Sequence, residues 1–426
     1  MKTIVVAGAM LAGSVFAAVP VIDPASISAR QDGGHTVVIG YTMNPATDGD
    51  TDPAIITVDV LTNYTENAEV KWASIGGEHL TTLSGDVNKI VGHTADYKHN
   101  ILWDPTKEGL PKLKFDANEV KVEITAWATN SPPAYWIIDL THPADRTYDR
   151  YYPNAGQIPL GVTNALYKTD RLVMRRIPAK GVTWRMGDST TAGRRTIHYV
   201  TFSYDYWMAI YEFTRGQHSH VFAWGPSDKS STYDPGEANR ALPATARAHA
   251  NWRTMDVPAS HAGSGDTLIR GMRAKMGGLV VDLPTEAEWE FACRAGSSAA
   301  YCNGDTASDL GKVAWYNEST PTPHDVGLKE PNSWGLYDMH GNAAEICLER
   351  LATRTADPVW DPMGPATSNF SSGLSGNYNT NSEVVKGGSW TSNHGTAELC
   401  KSGNNQGWLS DDFKGEKTIR LCLPIP

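Results

Sequence analysis

The chain has 426 residues, 40% of them hydrophobic and 20% charged, which leaves room for two or three domains with a sizeable buried core. Its formal net charge is −10 and it carries no run of Lys or Arg. A nucleic-acid partner of the usual electrostatic kind is therefore excluded, because neutralising phosphates takes a basic patch.

The first residues predict a signal peptide over residues 1–17. Lys2 supplies the positive start, Thr3 to Val15 form a short stretch of apolar and small residues, and Ala17 precedes the expected cleavage point. The stretch is too short to span a membrane, and no later segment is long enough. No Cys follows it, which argues against a lipid anchor. The expectation is an exported protein (periplasmic, cell-surface or secreted) without a membrane span.

Residues 20–128 read as all-β. Thr36–Thr42 and Ile55–Leu61 are rich in β-branched residues, and Val120–Trp127 alternates as a half-buried strand should. Turn residues separate these runs, so the pattern predicts an immunoglobulin- or fibronectin-III-like β-sandwich. The acidic stretch Asp48-Gly49-Asp50-Thr51-Asp52 reads as a solvated turn rather than a calcium loop. Residues 129–170 show no periodicity and read as the inter-domain linker and the entry segment of the second domain. From 171 to 426, frequent Trp and Gly with few long helical periods predict an α+β domain of low regular secondary structure.

Three segments of that second domain stand out. In Leu283-Pro284-Thr285-Glu286-Ala287-Glu288-Trp289-Glu290-Phe291-Ala292, Thr285 and Glu288 have the spacing of a capping box at a helix start. Capping accounts for this Glu cluster without acid–base chemistry. In Asp338-Met339-His340-Gly341-Asn342-Ala343-Ala344-Glu345, two carboxylates bracket a tight Gly-Asn turn. Joined by backbone carbonyls, they make an all-oxygen set that suits calcium better than a transition metal. Val384-Val385-Lys386-Gly387-Gly388-Ser389-Trp390 reads as a strand running into a glycine turn. The five cysteines, Cys293, Cys302, Cys347, Cys400 and Cys422, all lie in this domain. Their odd number leaves at least one without an intramolecular partner.

In this order, the three segments resemble the formylglycine-generating enzyme (sulfatase-modifying factor) family. Arg176–Gly181, Met186-Gly187 and Tyr211-Glu212-Phe213-Thr214 also resemble strings of that family. The resemblance covers roughly residues 145–426 and implies a C-type-lectin-like fold. It implies calcium held by the side chains of Asp338 and Glu345 and the carbonyls of Gly341 and Ala343. A second family calcium site, around Trp315 to Asp325, finds no match. The resemblance further implies a disulfide between Cys347 and Cys400.

The catalytic part of the resemblance does not carry over. The family oxidises a substrate cysteine with copper held by two cysteines, and those positions are Ser392 and Ala397 here. Neither offers the soft thiolate that Cu(I) requires, so copper is not expected. Trp residues commonly flank the family's glutamate, whereas this chain has Ala344 and Ile346 beside Glu345. The sequence therefore points to a non-catalytic binding protein for an extracellular or cell-surface protein or glycan. Residues 391–417 would be its ligand surface, with Ser392, Asn393, His394, Asn404, Asn405 and Trp408 as contacts. Some proteins of this fold are diversified by retroelements in this region, and Asn393, Asn404 and Asn405 are compatible with that. One alternative is a copper-independent enzyme of the same family drawing on His340, Glu345, His394 or Arg420. The other is a structural surface protein.

Overall fold

The computed structural model describes residues 21–31, 34–44, 52–92, 97–110, 119–189, 195–222, 268–318, 323–363, 383–408 and 416–425. The expected signal peptide, most of the acidic turn (Asp48 to Thr51), residues 409–415 and the side chain of Trp408 lie outside the described residues. The chain divides into two compact units, residues 1–137 with 149–164, and residues 138–148 with 165–426.

The first unit contains two four-stranded antiparallel sheets. In one, Ala54–Glu66 pairs with Val120–Ala128, Glu69–Ser74 and Lys89–Val91. In the other, Val37–Tyr41 pairs with Ser28–Gln31 and His99–Trp103, and Ser84–Gly85 extends the edge. Alternate residues of both sheets enter one apolar cluster, including Val37, Ile39, Ile56, Val58, Val60, Trp103, Val120 and Val122. The strict alternation read at Val120–Trp127 is realised as inward Val120, Val122 and Ile124 of the strand Val120–Ala128. The segment 129–170 carries strand pairing of its own. Tyr135–Asp139 pairs antiparallel with Arg150–Tyr152, and all four residues from Tyr135 to Ile138 are aromatic or β-branched and buried. The run has no alternation because it is covered on both faces.

In the second unit, Arg171–Ile177 pairs antiparallel with Tyr206–Ala209, which pairs in turn with Cys422–Pro424 close to the C-terminus. A four-stranded sheet runs Gln406–Trp408, Glu383–Lys386, Ala344–Arg350, Lys417–Thr418; the first two pairings are antiparallel and the last parallel. A three-stranded sheet joins Thr183–Met186, His198–Thr201 and Val359–Trp360. Helix Glu286–Arg294 packs on the strands Ala344–Arg350 and Glu383–Lys386. Its capping box is complete: Thr285 Oγ1 accepts from Glu288 N, and the Glu288 carboxylate accepts from Thr285 N. No helix among the described residues is long and apolar enough to cross a membrane.

Candidate functional site

The centre of the second unit is the Gly-Asn turn. Gly341 has φ +73° and lies so close to Trp315 that a Cβ there would stand 2.1 Å from its carbonyl oxygen, so only glycine fits. Asp338 and Asn342 also adopt left-handed backbone, with φ of 57° and 56°, which Asp and Asn tolerate better than most residues. The Asn342 amide is used at both ends. Its Oδ1 accepts from His324 N at 2.9 Å and its Nδ2 donates to Glu212 Oε2 at 2.5 Å. The other Glu212 oxygen accepts from Ala343 N at 2.8 Å. A carboxylate 130 residues upstream thus pins the turn from behind.

Glu345 is the second residue of the strand Ala344–Arg350 that leaves this turn. Arg420 donates Nη2 to its Oε1 at 2.6 Å and Nε to its Oε2 at 2.9 Å. Trp289 Nε1 adds a bond to Oε2 at 2.6 Å. Arg420 also donates to the carbonyls of Ala209 and Tyr337, at 2.9 and 2.8 Å. The buried Arg420–Glu345 pair therefore joins the turn, the capped helix and two other segments.

Asp338 accepts from Gly327 N through Oδ2 at 2.6 Å, while its Oδ1 is buried without a hydrogen-bond partner. Three buried carboxylates, Glu212, Asp338 and Glu345, converge on the single guanidinium of Arg420. Burial raises the Asp338 carboxyl to about 6, against the opposing pull of the Gly327 N–H and Arg420. Burial also raises Glu212 well above the ordinary range, with Asp338 and Glu345 adding repulsion. An open oxygen in a surplus of buried negative charge suits a hard cation. Glu345 is less open, because both its oxygens already accept from Arg420 or Trp289. No three His, Cys, Asp or Glu side chains among the described residues are arranged to hold a metal. The fit therefore rests on Asp338 and backbone carbonyls more than on Glu345.

The Glu cluster of the capped helix serves structure. Glu290 accepts from Arg294 at 2.8 Å, Lys386 at 3.1 Å and Gly187 N at 2.9 Å. Burial works against its charge, but Lys386 and Arg294 outweigh it and lower its pKa. Glu286 pairs with Arg354 and accepts from Asn405 Nδ2 at 2.7 Å.

The remaining expected site residues fall into two groups. Ser392 and Asn393 are exposed, and half-buried His394 pairs with Glu416 at 2.9 Å. Beside them, Glu318 bonds to this loop twice: its N to Trp390 O, and its O from Ser392 N. Asn404 and Asn405 are not surface contacts. They are 3% and 1% exposed, and their amides bond to Glu398 O and Glu286. Loop-like composition hid their role as buried crosslinks. Of the two positions aligned with the family's copper cysteines, Ser392 is exposed, and the Ala397 carbonyl accepts from Tyr301 Oη at 3.0 Å.

The structure records all five cysteines as free thiols, Cys347 and Cys400 among them. Cys347 sits in the strand Ala344–Arg350, whereas Cys400 packs with Tyr301, Leu310 and Val313. Burial pushes the Cys293 and Cys400 thiols up to about 12, and Cys347 well above its ordinary value. His340, one of the groups considered for copper-independent catalysis, is committed to structure. Its Nδ1 lies 2.7 Å from Cys400 O, and its Nε2 accepts from Cys302 N at 3.1 Å.

Residues 169–421 match the sulfatase-modifying factor enzyme 1-like domain. Among curated proteins, the chain is 30% identical over 137 residues to the formylglycine-generating enzyme of Thermomonospora curvata, covering 25% of this chain and 38% of that protein. It is 27% identical over 142 residues to the chaperone protein LppX of Paenibacillus barcinonensis, covering 28% of this chain and 42% of that protein. The chain thus spans less than half the length of these curated relatives. Similar solved structures include Treponema denticola variable protein 1 (23% identity, TM-score 0.45, covering 60% of this chain and 96% of that chain). PvdO from Pseudomonas aeruginosa is another, with 19% identity, a TM-score of 0.40, and coverage of 60% of this chain and 94% of that chain. With the family match extending over more than half of its length, the chain belongs to the sulfatase-modifying factor (formylglycine-generating enzyme) family.

Proposed function

We propose that the protein is an exported, non-catalytic binding protein built on a calcium-stabilised member of this scaffold, with an extracellular protein or glycan as ligand. One observation carries the reading: the positions of the family's copper thiols hold Ser392 and Ala397. The sulfur present elsewhere does not replace them. Four of the five cysteines are buried, and thiolates, not thiols, bind copper and attack substrates. The binding surface is narrower than residues 391–417. It centres on Ser392 and Asn393 with His394, Glu416 and Glu318, since Asn404 and Asn405 are committed to the core. Asp338, with the carbonyls of Gly341 and Ala343, would hold the calcium ion and offset the surplus charge behind the turn.

The test is to load the protein with copper and offer a sulfatase-motif peptide in air. No formylglycine is expected, and turnover would overturn the reading. A companion screen of glycan and extracellular-protein arrays should give a ligand whose binding falls in Ser392→Trp and Asn393→Trp. A retroelement would show in the flanking DNA as a reverse transcriptase beside a near-copy of the 3′ coding segment. Variation there is expected at Asn393 and excluded at the buried Asn404 and Asn405.

A further inference from the structure

In the first unit, the hairpin of Ala54–Glu66 and Glu69–Ser74 forms one end of a sheet. Its turn residues Asn67 and Ala68 both have positive φ, 54° and 66°, the backbone of a type I′ turn. Such a turn closes on a hydrogen-bonded pair, here Glu66 and Glu69, and bonded and non-bonded pairs then alternate along the ladder. Counted from the turn, Tyr64–Lys71 and Thr62–Ala73 are bonded pairs. The bond from Ile75 N to Val60 O, at 2.9 Å, continues the same count. The N–H and C=O groups of Val70, Trp72 and Ser74 therefore point away from the sheet. Among the described residues no other strand pairs with this edge, and no backbone bond outside the ladder reaches these three residues.

An open edge is a template for another strand, and proteins ordinarily blunt it with a proline, a bulge, a lysine or a covering segment. The six residues here contain no proline, and their register runs without a bulge. Lys71 is already paired with Glu66 of its own hairpin. Glu69, Val70, Ala73 and Ser74 are exposed, Val70 at 63%. The opposite edge of the sheet, Val120–Ala128, has no exposed residue.

The open edge is complementary to itself. An antiparallel copy related by a two-fold axis at Trp72 sets Trp72 opposite Trp72 and Val70 opposite Ser74. Every outward N–H then meets an outward C=O. Sliding the copies two residues toward the turn would put Lys71 directly opposite Lys71, which is unfavourable. Sliding them two residues the other way would leave Val70 outside the ladder. In the symmetric register the two Lys71 side chains meet only diagonally, each held by its own Glu66. Val70 and Trp72 share a face with Leu61, and Lys121 Nζ stands 3.9 Å over the Trp72 ring. Two copies bring these apolar groups together and cover the exposed valine.

We propose that the first unit pairs with a second copy of this chain through Glu69–Ser74, joining two sheets into one continuous antiparallel sheet. The pair carries two copies of the second unit, so a ligand displayed repeatedly on a surface is held with avidity, whatever its chemistry.

The test is sedimentation velocity of the full chain over a wide range of concentration. The expected result is a mass that doubles as concentration rises and stays at one chain in Val70→Pro. Proline removes the outward N–H of Val70 but no bond to Ala54–Glu66, and an edge tolerates it with that side to solvent. The melting temperature should therefore hold. Trp72→Cys reads the register independently: oxidation should give a covalent dimer whose mapped bridge joins the introduced thiols of the two chains, which face each other at a spacing a disulfide can span. A single-chain mass at every concentration would overturn the inference, including one whose edge takes up a strand from another protein. So would a dimer that Val70→Pro leaves intact, or one bridged only through the natural cysteines.

Discussion

Arg420 and Glu345 form a two-point ion pair with 0% and 1% of their side chains exposed, Nη2 lying 2.6 Å from Oε1 and Nε 2.9 Å from Oε2. A buried pair of this kind need not add net stability, but losing one partner leaves the other charged and dry. The penalty is larger here because Glu212 and Asp338 share the same guanidinium.

Arg420→Met is therefore expected to destabilise the second unit by about 3–5 kcal/mol, read by denaturant melts of the full chain. Removing Glu345 charge as well, in Glu345→Gln/Arg420→Met, should restore part of the loss, because contacting residues couple. Additive losses would show that Arg420 acts through its bonds to the Ala209 and Tyr337 carbonyls instead.

Much of this arrangement was legible locally. The capping box at Thr285 and Glu288 and the alternation at Val120–Trp127 depend on residues within a few positions of each other, so sequence spacing reports them. The tie between Glu212 and Ala343 does not, because its partners are 131 residues apart and Glu212 looks like the end of a strand. The same reason hid the order in 129–170, where Tyr135 to Ile137 find their partners in Arg150 to Tyr152. Asn404 and Asn405 failed differently. An Asn-Gly-Ser-rich stretch has the composition of a surface loop, but composition says nothing of a buried Glu286 waiting to accept an amide.

Glu349 sets a pH dependence. Burial, with Glu286 nearby, raises its carboxyl from an ordinary 4.5 to about 8. Between those values the folded form keeps a proton that the unfolded form has lost. Stability contributed by this group is thus present below pH 4.5 and is lost as pH rises toward 8, at up to about 1.4 kcal/mol per pH unit. Glu349→Gln, which cannot ionise, should flatten the fall. Melting curves of both proteins between pH 5 and 8 measure the difference, and parallel curves would show that Glu349 is already ionised in the fold.

The cysteines give a count. Five thiols per chain should react with a chromogenic disulfide reagent in denaturant, and in the native protein only half-exposed Cys302 should react quickly. A count of three in denaturant would mean that export has closed one bridge. Peptide mapping would then say whether it joins Cys347 to Cys400 or draws on another pair.

Calcium is best tested through folding, because the ion would act behind the turn rather than on a ligand. A cation bound only by the native state stabilises it by mass action, about 2.7 kcal/mol at a concentration one hundred times its dissociation constant. Chelation should lower the melting temperature of the second unit, and calcium should restore it where magnesium does not, since magnesium surrenders its waters reluctantly. Asp338→Asn keeps the size of the side chain but removes the charge of the carboxylate that, among Glu212, Asp338 and Glu345, has an oxygen without a hydrogen-bond partner. This variant should melt at the same temperature with and without chelator. Equal melting of the natural protein in chelator and in calcium would mean that Arg420, with protonation of Glu212, is enough to balance the buried charge.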